Sequence, residues 1–421
     1  MTGPLPSAAA LADRCAVDGE LALAARHWTG GLHLGLGEHR LGLQFVAGRV
    51  RAGDPGAPGG DVIGVDGPMS VWELVLAPTP RRFFTELSTA VSLGLVRQGD
   101  ELSWWQRYPA VSRVVEILRG MVAGASAQGS TAEPGRAPGA LDSPVGGYVH
   151  VPLDGVDHRI YVEQAGTGVP MLLQHTAGSH GVQWRHLFER PEITDRFRLI
   201  AYDLPFHGKS LPPAGVEWWA EPYRLTRDRA MALPVALAGL LGLDRPVFMG
   251  CSVGGLLALD LARYHPEVFR AVVALEPSLK VTTDIDSLHG FWHPQVGNEF
   301  KARVMRALMS PTAPEAYRRE TEFAYASGWP PAFLGDLHYY LVDHDLTVEA
   351  ANIDTGRVQV HLLTGEYDAS ATLEHGRAAH AAIRGSTFTE MPGLGHFPMS
   401  EDPDRFVAHL LPILDLVLAS P

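Results

Sequence analysis

One stretch of the chain has the residue types and spacing needed for nucleophilic catalysis. Gly250, Ser252 and Gly254 form a Gly-x-Ser-x-Gly pattern, with an apolar run over 246–249 before it and a leucine- and alanine-rich run over 256–262 after it. These runs predict a short buried strand, a sharp turn and a helix. Such a turn lifts a serine hydroxyl clear of the sheet and aims a helix N-terminus at the reacting carbon. The pattern alone is weak, because the chain contains 45 glycines.

Later polar residues offer partners for this serine. Serine is a poor nucleophile at neutral pH and needs a base within hydrogen-bonding reach. His396, in a Gly/Pro-rich loop, is a candidate for this base, and Asp368, at the end of an apolar run, is a candidate for the carboxylate that orients its imidazole. Two other carboxylates stay open for the orienting role: Glu366 is the nearest competitor and Glu276, after an earlier apolar run, is a more distant one.

The order Ser252, Asp368, His396 resembles that of the α/β-hydrolase superfamily. Two further stretches carry the resemblance. Residues 172–178 read Leu-Leu-Gln-His-Thr-Ala-Gly and resemble the family's His-Gly loop. Residues 203–210 resemble its Asp-x-Pro-Gly-x-Gly-x-Ser turn, with Phe206 in place of a glycine. The resemblance covers residues 148–421 and implies an α/β fold with a mostly parallel sheet.

The resemblance also implies an oxyanion hole. The family supplies one amide from the residue two after the loop histidine, here Ala177, and another from the residue after the nucleophile, here Val253. Each such donor contributes about 3 kcal/mol to transition-state stabilisation. Thr176 stands where the family usually has glycine. Its hydroxyl either adds a donor to the oxyanion or stabilises the loop.

Alternating strand and helix patterns from residue 148 onward predict a parallel sheet. The alternation lapses over about 278–353, a region rich in aromatic residues and methionine. An insertion of this composition is typical of a helical cap over an apolar pocket. We expect Trp292 and His175 to line this pocket. The alternative is that the aromatic side chains of the insertion only pack the cap onto the body.

Residues 1–122 predict a separate small α+β accessory domain, with a helix over 11–28, alternating strands from residue 29 and a helix over 108–122. The pattern resembles a sterol-carrier-protein-like domain, which implies a small sheet and helices around an apolar tunnel. The alternative is a domain that binds nothing and mediates a homodimer. Residues 123–147 are rich in Gly, Ala, Ser and Pro, which predicts an interdomain linker.

Composition narrows the range of partners. The net charge of −13, without a basic tract, argues against nucleic acid or an anionic membrane as a partner. The chain shows no signal-peptide pattern and no apolar run long enough for a membrane span. Only Cys15 and Cys251 occur, which favours a reducing cytoplasm over a disulfide scaffold. Metal-binding spacings, a phosphate loop and a dinucleotide fingerprint are absent from the sequence, so we expect no metal and no cofactor.

Together these features predict a serine hydrolase that cleaves a small hydrophobic carboxylic ester or lactone through an acyl-serine intermediate. The same motifs occur in amidases and carbon–carbon bond hydrolases, and the sequence does not separate these reactions. A non-catalytic lipid- or ligand-binding protein, with the accessory domain as its functional part, is the alternative from a different class.

Overall fold

The computed structural model describes residues 4–57, 61–124 and 138–419. These residues form two compact units. The described residues of the first unit are 4–57, 61–124 and 293–312, and those of the second are 138–292 and 313–419. The predicted linker over 123–147 lies mainly outside the described residues. At its two ends, a helix of the first unit continues to Ala123 and a strand of the second begins at Val145.

The first unit contains a five-stranded sheet in the order β3-β2-β1-β4-β5. Strands β1 and β4 pair in parallel, and the other pairs are antiparallel. Alternate residues Leu32, Leu34 and Leu36 are fully buried on one face, as period-two patterning requires. The predicted small α+β region is confirmed, whereas its likeness to a sterol carrier stays a prediction. The strands are β1 Gly30–Leu36, β2 His39–Val46, β3 Arg49–Ala52, β4 Val62–Gly67 and β5 Val96–Gln98.

Five helices accompany this sheet in the N-terminal part of the chain. The single helix predicted over 11–28 is wrong, because two short helices occupy the region. The first helix ends before Val17 and Asp18. The Asp18 carboxylate then accepts a hydrogen bond from the Leu21 amide at 2.8 Å, which caps a new helix. The helices are α1 Ala8–Ala16, α2 Gly19–Ala24, α3 Met69–Val75, α4 Leu87–Ala90 and α5 Glu101–Ala123.

The second unit contains an eight-stranded sheet in the order β13-β12-β11-β10-β8-β9-β7-β6. Strand β7 pairs antiparallel with β6 and β9, and every other pair is parallel. The predicted α/β class is confirmed. The strands are β6 Val145–Leu153, β7 Val156–Ala165, β8 Val169–Gln174, β9 Phe197–Tyr202, β10 Val247–Cys251, β11 Ala271–Leu275, β12 Gln359–Gly365 and β13 Thr387–Met391.

Helices cover this sheet, and one core packs Trp184, Phe197, Phe406 and Leu410 against the central strands. Because β8, β10, β11, β12 and β13 are parallel, the loops that follow them lie along one edge of the sheet. The helices are α6 Arg185–Phe188, α7 Pro191–Thr194, α8 Arg227–Leu240, α9 Val253–Tyr264, α11 Glu315–Ser327, α12 Pro330–His338, α13 Leu373–Ala382, α14 Pro398–Glu401 and α15 Pro403–Ala419. Helix α10, Asn298–Met305, belongs to the first unit.

The insertion between β11 and β12 differs from the continuous cap that we predicted over 278–353. Its middle part, 293–312, belongs to the first unit and carries helix α10, Asn298–Met305. There Arg303 donates to the Ser112 hydroxyl at 2.8 Å and pairs with Glu116 at 2.6 Å. The Phe300 ring also meets Tyr108 edge-on at 5.7 Å. These long-range partners on α5 hold the segment in the first unit, so the cap of the second unit consists of the flanking parts.

Candidate active site

Ser252 stands at the turn between β10 and α9. All five residues of β10 are buried, and Ser252 has φ 59° and ψ −113°. A non-glycine residue with positive φ is uncommon and marks a strained turn. The turn is also crowded, since a Cβ added at Gly250 would lie 2.4 Å from the Gly254 carbonyl oxygen. The Gly-x-Ser-x-Gly pattern is therefore a steric requirement of this backbone.

The structure brings His396 and Asp368 together. The Nδ1 atom of His396 lies 2.7 Å from Oδ2 of Asp368, whose side chain is fully buried. The other oxygen of Asp368 accepts hydrogen bonds from the Ser370 and Ala371 amides at 2.7 and 3.2 Å. The Cys251 thiol donates to the His396 carbonyl at 3.1 Å, which joins the histidine loop directly to the residue before Ser252.

The two competing carboxylates occupy different positions. Glu366 is exposed and accepts a hydrogen bond from the Gly393 amide at 2.9 Å. Glu276 is fully buried at the end of β11, and both its oxygens lie 3.0 Å from the Gly365 amide. Burial, the charge of Asp368 and a hydrogen bond with Asp368 raise the pKa of Glu276 well above its ordinary value. The raised pKa favours the protonated form of Glu276 beside Asp368.

The loop after β8 is held by side chains around it. The amide and the hydroxyl of Thr176 donate to Oε1 of Gln183 at 3.1 and 3.0 Å. The same hydroxyl lies 2.5 Å from the Tyr325 hydroxyl. The Thr176 hydroxyl is thus part of the hydrogen-bond network that holds the loop after β8. Within the described ranges, we find no side-chain or loop acceptor for the amides of Ala177 and Val253, and Val253 opens α9, where amides lack intrahelical acceptors.

The two residues expected to line the pocket lie in contrasting places. His175 is fully buried, where its Nδ1 donates to the Thr176 carbonyl at 2.8 Å and its Nε2 accepts from the Leu204 amide at 3.1 Å. Burial lowers the pKa of His175 well below its ordinary value, so the ring is neutral. Trp292 is 45% exposed and follows the 3₁₀ turn Ile285–Phe291.

Sequence reasoning missed two tyrosines of the cap that lie near the catalytic candidates. The Tyr340 hydroxyl lies 3.2 Å from the Ser370 hydroxyl, and its interaction with Ser252 acts to lower the Tyr340 pKa. The Tyr325 ring packs 5.3 Å from Phe397, the neighbour of His396. Burial raises the pKa of both tyrosines. The aromatic richness of the insertion was the available signal, but it does not distinguish these tyrosines from those that only pack.

Aromatic rings form an apolar wall beside the site. Phe333 of α12 packs 5.0 Å from Phe291 and 6.3 Å from Tyr325, between ring centroids. Phe397 meets the His396 ring at 4.9 Å in an edge-on arrangement. In the described part of the chain, no group of three or more His, Cys, Asp or Glu side chains is arranged to hold a metal ion. None of the described helices is long and apolar enough to cross a membrane.

Comparison with known proteins identifies the family. A sequence model described as "Alpha/beta hydrolase family" matches residues 171–409, more than half of the chain. The chain belongs to the alpha/beta hydrolase family. The predicted enzyme class, a hydrolase, is thereby confirmed. The match runs from β8 to α15 and so contains Ser252, Asp368 and His396.

Similar proteins include some with a stated activity. An uncharacterized protein of Mycobacterium tuberculosis is 26% identical over 269 residues, which cover 58% of this chain and 74% of that protein. A pimeloyl-[acyl-carrier protein] methyl ester esterase of Methylococcus capsulatus is 33% identical over 117 residues, or 28% of this chain and 40% of the esterase. A thermophilic esterase from Thermogutta terrifontis shares the fold, with a TM-score of 0.55, 21% identity and coverage of 64% of this chain and 99% of that structure.

Proposed function

We propose that this hydrolase cleaves a hydrophobic carboxylic ester or lactone with Ser252 as nucleophile, His396 as base and Asp368 as orienting acid. The observation that carries the proposal is the buried contact of 2.7 Å between His396 and Asp368, on a loop joined to the serine turn by the Cys251 thiol. Buried carboxylate–imidazole pairs of this kind orient the imidazole and stabilise the imidazolium.

The reaction proceeds in two acyl transfers. The Ser252 oxygen attacks the ester carbonyl carbon while His396 accepts the hydroxyl proton. The resulting oxyanion is bound by the amides of Ala177 and Val253. Collapse breaks the ester C–O bond, and His396 returns the proton to the leaving alcohol. Water then attacks the acyl-serine with His396 again as base, which releases the carboxylic acid and restores the serine.

The choice of an ester or lactone with an apolar acyl part rests on the surroundings of the site. Phe291, Tyr325, Phe333 and Phe397 form an apolar wall next to His396 and the loop after β8. Apolar walls with a few placed polar groups are typical of pockets for small hydrophobic ligands. The name of the Methylococcus capsulatus relative, a methyl ester esterase, supports ester cleavage as the reaction.

A fluorophosphonate probe and a substrate panel test the proposal. The wild-type protein should be labelled at Ser252, and Ser252→Ala should lower kcat by about 10⁶-fold with an unchanged circular dichroism spectrum. Ser327→Ala is the matched control, since that serine is exposed and its hydroxyl donates to the Ala324 carbonyl at 2.9 Å. Hydrolysis that persists in Ser252→Ala would overturn the assignment. p-Nitrophenyl esters of increasing chain length, aryl esters, lactones and amides then define the substrate class.

A further inference from the structure

Two side chains of the cap flank the loop that supplies the proposed oxyanion donor. Tyr325 of α11 places its hydroxyl 2.5 Å from that of Thr176, and Asp336 of α12 accepts the Gly178 amide at 2.8 Å. Ala177, whose amide is the proposed donor, lies between the two tethered residues. The cap is therefore hydrogen-bonded to the loop on both sides of Ala177.

Asp336 is the stronger of the two tethers. Its side chain is fully buried. The oxygen that accepts a hydrogen bond from the Gly178 amide also accepts one from Nε2 of His207 at 2.9 Å. Its second oxygen accepts the Tyr223 hydroxyl at 3.0 Å. Burial lowers the pKa of His207, but Asp336, the Pro205 carbonyl and Asp203 together raise it above the ordinary value, which favours the charged imidazolium beside Asp336. Three hydrogen bonds therefore fix the carboxylate that holds the loop.

The two departures of this chain from the family pattern lie at these cap contacts. Thr176, at a position usually occupied by glycine, supplies the hydroxyl that meets Tyr325. Phe206, at another glycine position, stacks on Trp329 with ring centroids 5.4 Å apart and planes at 21°. The backbone also approaches closely, since a Cβ added at Gly178 would lie 2.7 Å from that of Phe333. Both atypical residues thus contact side chains of the cap.

We propose that Tyr325 and Asp336 are positioning residues that align the Ala177 amide with the oxyanion, so that the cap completes the oxyanion hole. This inference rests on the proposed function. An oxyanion donor acts through its alignment with a developing charge, and losing one such donor lowers kcat by about 10²–10³-fold. Losing a tether would leave the Ala177 amide in place but misaligned with the oxyanion, so kcat should fall by less than when the donor itself is lost.

Two substitutions and a control test this role. Tyr325→Phe removes only the hydroxyl, and Asp336→Ala removes the acceptor of the Gly178 amide. Tyr339→Phe is the control, because its buried hydroxyl donates to Asp260 at 2.6 Å and meets no residue of the loop in the described contacts. We expect each test variant to lower kcat by about 10-fold with little change in KM, as for an interaction made only in the transition state. The control should keep the wild-type kcat.

Two further readouts separate positioning from general structure. Affinity for an alkyl boronic acid, whose tetrahedral adduct on serine places an oxygen in the oxyanion hole, should weaken in the same ratio as kcat. Asp336→Asn retains an oxygen for the Gly178 amide and should recover most of the kcat lost in Asp336→Ala. If Asp336→Ala does not fold, Tyr325→Phe decides the question, because it deletes one hydroxyl group.

The outcomes distinguish this inference from the proposed function. Unchanged kcat in Tyr325→Phe and Asp336→Ala, or a raised KM with wild-type kcat, would overturn the positioning role while Ser252 still reacts with the fluorophosphonate. Absence of labelling at Ser252 in the wild-type protein would instead overturn the proposed function. An equal loss of kcat in Tyr339→Phe would assign the effect to cap stability and contradict the inference.

Discussion

At the scale of single residues, Glu276, which lies beside the proposed triad acid Asp368, should make the free energy of unfolding depend on pH. Glu276 is fully buried and faces Asp368, Glu401 and the Cys251 thiol, and its pKa is raised well above the ordinary value by burial and by Asp368. The folded state therefore keeps a proton that the unfolded state releases. The free energy of unfolding should fall by about 1.4 kcal/mol per pH unit as pH rises from the ordinary carboxyl range to the folded-state pKa.

Glu276→Gln tests this dependence. The amide is neutral at every pH and has nearly the shape of the protonated acid, so the variant should lose this contribution to the slope and be more stable than the wild-type protein at pH 8. Urea denaturation from pH 5 to pH 8 measures the effect. Parallel stability curves for the two proteins would contradict a protonated Glu276.

At the scale of elements, the contact between α9 and the end of β11 determines which residues the first helical turn tolerates. A Cβ added at Gly255 would lie 2.1 Å from the Leu275 carbonyl oxygen, so the helix must shift to accept one. We expect Gly255→Ala to destabilise the protein by about 1–3 kcal/mol, the usual cost of overpacking. Activity should also fall, because α9 carries the Val253 amide. Thermal denaturation and ester hydrolysis provide the two measurements.

Gly239→Ala is the matched control for this substitution. Gly239 lies in α8, and a Cβ added there has no atom within 4 Å. Alanine lowers the conformational entropy of the unfolded chain, so this variant should be more stable by about 0.5–1 kcal/mol. Equal effects of the two substitutions would show that helix propensity, rather than the contact with β11, governs both.

At the scale of the whole molecule, the first unit is built from two distant parts of the chain. Residues 293–312 supply Arg303, which is 5% exposed and pairs with Glu116 and, at 3.8 Å, with Glu86. Removing one partner of a buried charge cluster costs about 3–5 kcal/mol, because the remaining charges stay buried. We expect Arg303→Ala to destabilise the first unit by this amount, as measured by scanning calorimetry.

Arg229→Ala provides the comparison for this ion pair. Arg229 pairs with Asp154 at 3.0 Å, and both side chains are more than 60% exposed. Exposed pairs contribute only about 0–1 kcal/mol. If Arg303→Ala were as mild as Arg229→Ala, segment 293–312 would not be an integral part of the first unit.

The sequence by itself determined the features that depend on neighbouring residues. The strand, turn and helix around Ser252 follow from an apolar run, small residues and a leucine-rich run, and all three are local signals. The α/β class follows in the same way from repeated strand and helix patterns. The single helix expected over 11–28 was wrong because the Asp18 carboxylate competes for the Leu21 amide, and helical periodicity does not register this capping bond.

Only the tertiary structure decided which of several similar residues meet. It placed Asp368, rather than Glu366, against His396, and it brought Glu276 beside them as a buried acid. It also placed residues 293–312 in the first unit. Tyr325 and Asp336 form hydrogen bonds with the loop after β8 that the sequence did not indicate. These choices depend on burial and on partners far apart in the chain, which residue type and local spacing do not specify.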